Sequence, residues 1–88
     1  MKLWILKAKK DLPKNDNPWG KWYDKFFGHI VRAETEEQAR ILAQQYSEQN
    51  KGDENRTVQA WVNPKYSSCV ELLPYGESEV ILSDYRMA

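Results

Sequence analysis

Along residues 2–9, KLWILKAK, Leu3, Ile5 and Lys7 fall on one side of an extended chain and Trp4, Leu6 and Ala8 on the other. Apolar residues on both sides predict a central or well-covered strand. A second strand is expected over roughly 24–33, where Phe27, His29, Val31 and Ala33 alternate with Phe26, Gly28, Ile30 and Arg32. The period then lengthens. In TEEQARILAQQYSEQN (35–50), Ala39, Leu42, Ala43 and Tyr46 recur at helical spacing, which predicts one apolar stripe with Arg40, Gln44, Gln45 and Glu48 opposite it. Thr35 and Gln38 have the spacing of a capping box, and Glu36 and Glu37 suit the positive end of the helix dipole.

After a stop at NKGDEN (50–55), alternation returns in RTVQAWV (56–62), predicting a strand. CVELL (69–73) reads as a short edge strand between the turns NPKYSS and PYGES, and EVILSDYR (79–86) as a last strand. The expected fold is a single α+β domain over residues 1–88. Four or five antiparallel strands carry one helix on one face, in the order β-β-α-β-β. One helix covers one face of such a sheet and leaves the other to water, loops or a partner.

The longest irregular stretch, DLPKNDNPWG (11–20), holds two prolines and the turn-forming NDNP cluster, and runs into WYDKFF. Trp19, Trp22 and Tyr23 therefore have two readings. They fold back to cap a thin core, or they form a recognition surface, because Trp and Tyr bury large area at small entropic cost. On the second reading they are anchors, with Lys21, Asp16 and Asp24 as a polar rim. Tyr66 and Tyr75, each in a proline-containing turn, extend the patch if their loops share that end of the sheet.

Composition narrows the chemistry. Charged residues are 30% and hydrophobic residues 41%, which fits a folded domain. Net charge is zero, but residues 1–33 carry eight Lys/Arg against three Asp/Glu, and residues 34–88 carry five against ten. That asymmetry either separates into faces or cancels when strands interleave. A single-stranded nucleic-acid reading would use Lys2, Lys7, Lys9, Lys10, Lys14, Lys21 and Lys25 beside the rings. Arg, the better partner for phosphates and bases, is nearly absent from that region.

His29 and Cys69 are the one histidine and the one cysteine, so no intrachain disulfide forms and zinc-type spacing is missing. No catalytic, phosphate-loop or calcium motif occurs, and no enzyme activity, metal or cofactor is expected. No signal peptide or membrane span is visible, so a cytoplasmic protein is the expectation.

The opening WILKAK, the NDNPW and WYDK segments, the VRAETEEQAR junction and the later W, C, EL and GE positions resemble a group of short, uncharacterised bacterial or phage proteins. In size and lack of catalytic motifs the chain is also similar to small proteins that mobile elements use against host defence. The expected function is non-catalytic: binding or blocking a protein partner. The alternatives are a small anionic ligand such as a nucleotide, held by an oligomer such as a homodimer, and single-stranded nucleic acid.

Overall fold

The computed structural model describes residues 1–19, 26–51 and 59–83. Among them β1 (Lys2–Ala8), β2 (Gly28–Ala33) and β3 (Ser67–Glu71) form one antiparallel sheet in the order β2-β1-β3, and α1 (Glu36–Lys51) lies on one face. The strand with two apolar faces is the central one. Leu6 sits opposite His29 on one side and Cys69 on the other, so these three residues share a face. Ile5, opposite Ile30 and Val70, shares the other.

The expected four or five strands are corrected to three among the described residues, in the order β-β-α-β. Residues 59–62, expected to end a strand, form a turn. Gln59 has φ 54°, and its carbonyl accepts from the amides of Val62 (3.1 Å) and Asn63 (3.2 Å). Side chains bind the backbone that a ladder would otherwise satisfy. Gln44 Oε1 accepts from Trp61 N at 2.9 Å, Arg40 Nη1 donates to Trp61 O at 3.1 Å, and Ser67 Oγ donates to Ala60 O at 2.9 Å. Residues 56–58 lie outside the described residues.

Residues 79–83 belong to no strand either. The ladder continues as far as Leu72, whose amide donates to Leu3 O at 2.8 Å. Pro74 then lacks a donor and Gly76 takes φ 151°, which turns the chain across the sheet instead of along its edge. Residues 84–86 of that expected strand lie outside the described set.

The α1 start follows the expected cap: Thr35 Oγ1 accepts from Gln38 N at 3.2 Å. The Gln38 side chain reaches back to Glu34 N (2.9 Å). The buried stripe is a correction. Ala39 and Ala43 are buried, but Leu42 and Tyr46 are exposed, whereas Arg40, Gln44 and Ser47 face inward. The helix is turned toward its polar residues because residues 59–67 present backbone groups that need partners in the interior.

The core lies between α1 and the sheet. Leu6, Ala33, Ala39, Ala43, Ala60, Trp61, Trp19 and Tyr66 form it, with Trp4, Phe26, Phe27 and Val31 at its margin. The small Ala39 and Ala43 leave room for the Trp61 indole, which is fully buried and edge-on to His29 at 4.6 Å.

Candidate partner-binding face

Trp19, expected as an exposed anchor, is 4% exposed. Its ring packs on Trp61 at 4.9 Å, and its Nε1 donates to Tyr66 O at 2.9 Å. Asn17 Oδ1 accepts from Trp19 N at 2.9 Å, an Asx-type turn that swings the indole inward. Tyr66 is buried as well, which corrects its place in the proposed patch. Its hydroxyl donates to Asp16 Oδ1 at 2.5 Å, and Lys65 pairs with the same carboxylate. These two hydrogen bonds, Lys65 first and then Tyr66, hold the Asp16 carboxyl below its usual range. Asp16 is therefore a tie between two loops instead of a free rim charge. Lys21, Trp22, Tyr23 and Asp24 lie outside the described residues. Tyr75, at 74% exposure, is the one of the expected contact residues found facing water among those described.

Lys2, Lys7 and Lys9 are not gathered into one track. Lys2 and Lys9 bracket β1, roughly 23 Å apart for seven strand steps. Lys2 stands 3.9 Å from Glu71, while Lys7 and Lys9 donate to the carbonyls of Ile81 and Pro64.

Besides Ile41, Leu42 and Tyr46 on α1, exposed apolar surface lies on the side of the sheet away from α1. Ile30, Ile5 and Val70 make a row across all three strands. Ile30 is 54% and Val70 60% exposed, whereas the central Ile5 is buried. Its cover comes from the chain after β3. Residues 71–81 fold back over this face and line a groove with Ile5, Lys7, Ser68 and Val70. The Lys7 Nζ to Ile81 O bond, 2.7 Å, is the one hydrogen bond made by residues 73–83 among the described residues. Leu73, Val80, Ile81 and Leu82 are all exposed, Val80 by 81%. Val70, Leu73, Val80 and Ile81 all line that groove, and exposed apolar surface gathered in one place often marks a functional patch on a monomer. Sequence reading missed this site because it treated EVIL as a strand that would be paired and half-covered. The available signal was the predicted uncovered sheet face.

Charge along the groove is acidic. Glu77 and Glu79 line it against Lys7, whose ammonium is already held by the Ile81 carbonyl, while Glu71, opposite Trp4, points to the other face. Such a rim repels a phosphorylated ligand and attracts a cationic one.

The two residues that could have suggested nucleophilic chemistry are kept apart. His29 and Cys69 flank Leu6 on opposite strands, roughly 9–10 Å apart across two strand spacings. Burial pushes the Cys69 thiol up, away from the thiolate a nucleophile needs. Among the described residues no group of three His, Cys, Asp or Glu could hold a metal ion, and no helix is long and apolar enough to cross a membrane.

His29 is part of the core's wall. Its Nε2 lies 3.0 Å from Ser47 Oγ, Phe26, Tyr46 and Trp61 surround the ring, and burial lowers its pKa to about 4. The folded protein thus holds a neutral imidazole where the unfolded chain binds a proton. The stability from this residue is complete above about pH 6.5, falls as pH drops toward about 4, and is constant below. Allowing for the ring's residual contact with solvent, the loss is about 2 kcal/mol. Urea unfolding of wild type and His29→Gln across pH 4–7 checks this: the variant's stability is expected to vary less over that window.

Compared with known protein families, curated proteins and solved structures, the chain matches none.

Proposed function

We propose that the protein is a non-catalytic binding module that engages a protein partner through its open sheet face. The supporting observation is the row Ile30–Ile5–Val70 across the three strands, extended by exposed Leu73, Val80, Ile81 and Leu82. A small domain has little apolar material to spare, and leaving this much of it in water opposes solubility unless a partner covers it. Tyr75 supplies an amphipathic ring beside the patch, and Glu77 and Glu79 supply a polar rim that sets orientation. The module acts in the cytoplasm. On an enzyme or a host defence complex it works by steric occlusion, in line with the chain's likeness in size and lack of catalytic motifs to small proteins that mobile elements use against host defence.

A photo-crosslinking residue placed at Val70, with a control at Ile41 on the outer face of α1, tests the reading in a lysate of the cell that makes the protein. The expected result is one discrete protein adduct from position 70 and none from position 41. No adduct from 70, or the same adducts from both, overturns it.

A further inference from the structure

The sheet offers more than a flat apolar face. β3 pairs with β1 along one edge; on its other edge Arg40 and Asn63 O already hold the Ser67 backbone, and no described strand pairs with Cys69 and Glu71 there. Beside that strand, on the open face, runs the groove between the sheet and the returning chain. Its apolar positions are Val70, Leu73 and Val80, all exposed, and its charges are Glu77 and Glu79 with Lys7, whose ammonium is held by the Ile81 carbonyl. No ion pair is formed by Glu77 or Glu79 among the described residues.

We infer that this groove takes an extended, basic segment of a partner protein as an added strand along β3. The chemistry of both sides selects it. An unpaired strand edge satisfies its amides and carbonyls with another extended backbone, and the affinity of such additions comes from those main-chain bonds. Side chains of an added strand alternate between faces, so every second one enters the groove against Val70 and Val80. The specificity then comes from charge. Lys or Arg side chains of the segment meet the Glu77 and Glu79 carboxylates, and the exposed Tyr75 ring gives a further surface for a cation. An acidic segment or a phosphate would meet the same carboxylates with repulsion. The inference rests on the reading of this face as a protein-binding surface and names the kind of segment that surface accepts.

The probe is a pooled set of fluorescent peptides of about nine residues, a full strand length, with Lys or Arg alternating with Val, Ile, Leu or Tyr. The comparison sets carry Glu in place of the basic residues, or Pro at the centre. Anisotropy titrations use the whole protein and its Glu77→Lys/Glu79→Lys variant, and hydrogen exchange follows the β3 amides. The basic set is expected to bind at least tenfold more tightly than the acidic and proline sets. The charge-reversed variant is expected to lose at least tenfold, and the Cys69 and Glu71 amides, which point away from β1, to gain protection on binding. Equal binding of basic and acidic sets, an unchanged affinity in the variant, or binding without β3 protection overturns the inference. Absence of binding by any set, while position 70 still captures a protein, also overturns it and leaves the broader reading standing; loss of the crosslink as well removes both.

Discussion

Trp61→Ala is expected to destabilise the protein by about 4 kcal/mol, in the range found when a buried Trp or Phe is truncated. The indole is fully buried and touches both Trp19 and His29, so its removal opens a void between α1 and the sheet that backbone cannot close. A domain of this size has a total stability of roughly 5–10 kcal/mol, so the change removes a large share of it. The melting temperature is expected to fall by about 15 °C or more, measured by circular dichroism. Trp61→Phe separates volume from polarity. Trp61 Nε1 is buried without a hydrogen-bond partner among the described residues, so phenylalanine loses ring volume but leaves no polar group unpaired. That variant is expected to cost less than about half as much as the alanine one.

The second large effect is at Arg40. Its guanidinium is buried against the segment after α1: Nη1 donates to Trp61 O at 3.1 Å and Ser67 Oγ at 3.0 Å, and Nη2 to Ser67 O at 3.2 Å. One planar fork thus clamps the turn at residues 60–61 to the start of β3. Alanine leaves two buried carbonyls without that donor, and the expected loss is about 3 kcal/mol. Arg40→Lys keeps the charge but lacks the fork, and most of the loss is expected to remain. The i,i+4 pair with Glu36, at 2.9 Å, is a different matter, because the Glu36 side chain is half exposed. Glu36→Ala is expected to cost no more than about 1 kcal/mol. Urea titrations of the three variants check the order; near-equal losses for Arg40→Ala and Glu36→Ala would place the stabilisation in the surface ion pair instead of the clamp.

Arg40 also marks where sequence reading stopped being informative. Periodicity located α1 and its cap because those signals are local: Thr35, Gln38 and the acidic first turn act within a few residues of one another. Which face turns inward is decided by a segment twenty residues further on. Arg40 and Gln44 look like solvent-facing residues until Trp61 and Ser67 present buried backbone groups to them. The same cause hid the turn at 59–62, where Val58, Ala60 and Val62 carry a strand-like pattern but side chains replace the ladder. EVILS has strand-forming residues at 79–83, yet strand propensity does not supply a neighbour, and after Pro74 and Gly76 the chain crosses the face.

The burial of Trp19 and Tyr66 has a related cause. Trp19 is absorbed: Trp19 and Tyr66 tie the loop at residues 13–19 to the loop before β3 and complete the core. Among the described residues an aliphatic row is left behind the sheet, at positions that single-strand alternation places correctly on a second face. Alternation says that Ile30 and Val70 share a face with Ile5 only once the register of all three strands is known.

The account turns on that second face being a binding surface rather than an unprotected remainder. Its most direct test is the affinity of the protein captured from position 70 for two variants, Ile30→Glu/Val70→Glu on the face and Ile41→Glu on the helix, each with its unfolding free energy measured alongside. Both substituted face residues are more than half exposed, so stability is expected to stay within about 1 kcal/mol of wild type. Affinity is expected to fall at least 30-fold for the face variant, about 2 kcal/mol, and to stay unchanged for the helix variant. Unchanged binding by a folded face variant, or a loss confined to Ile41→Glu, would contradict the account.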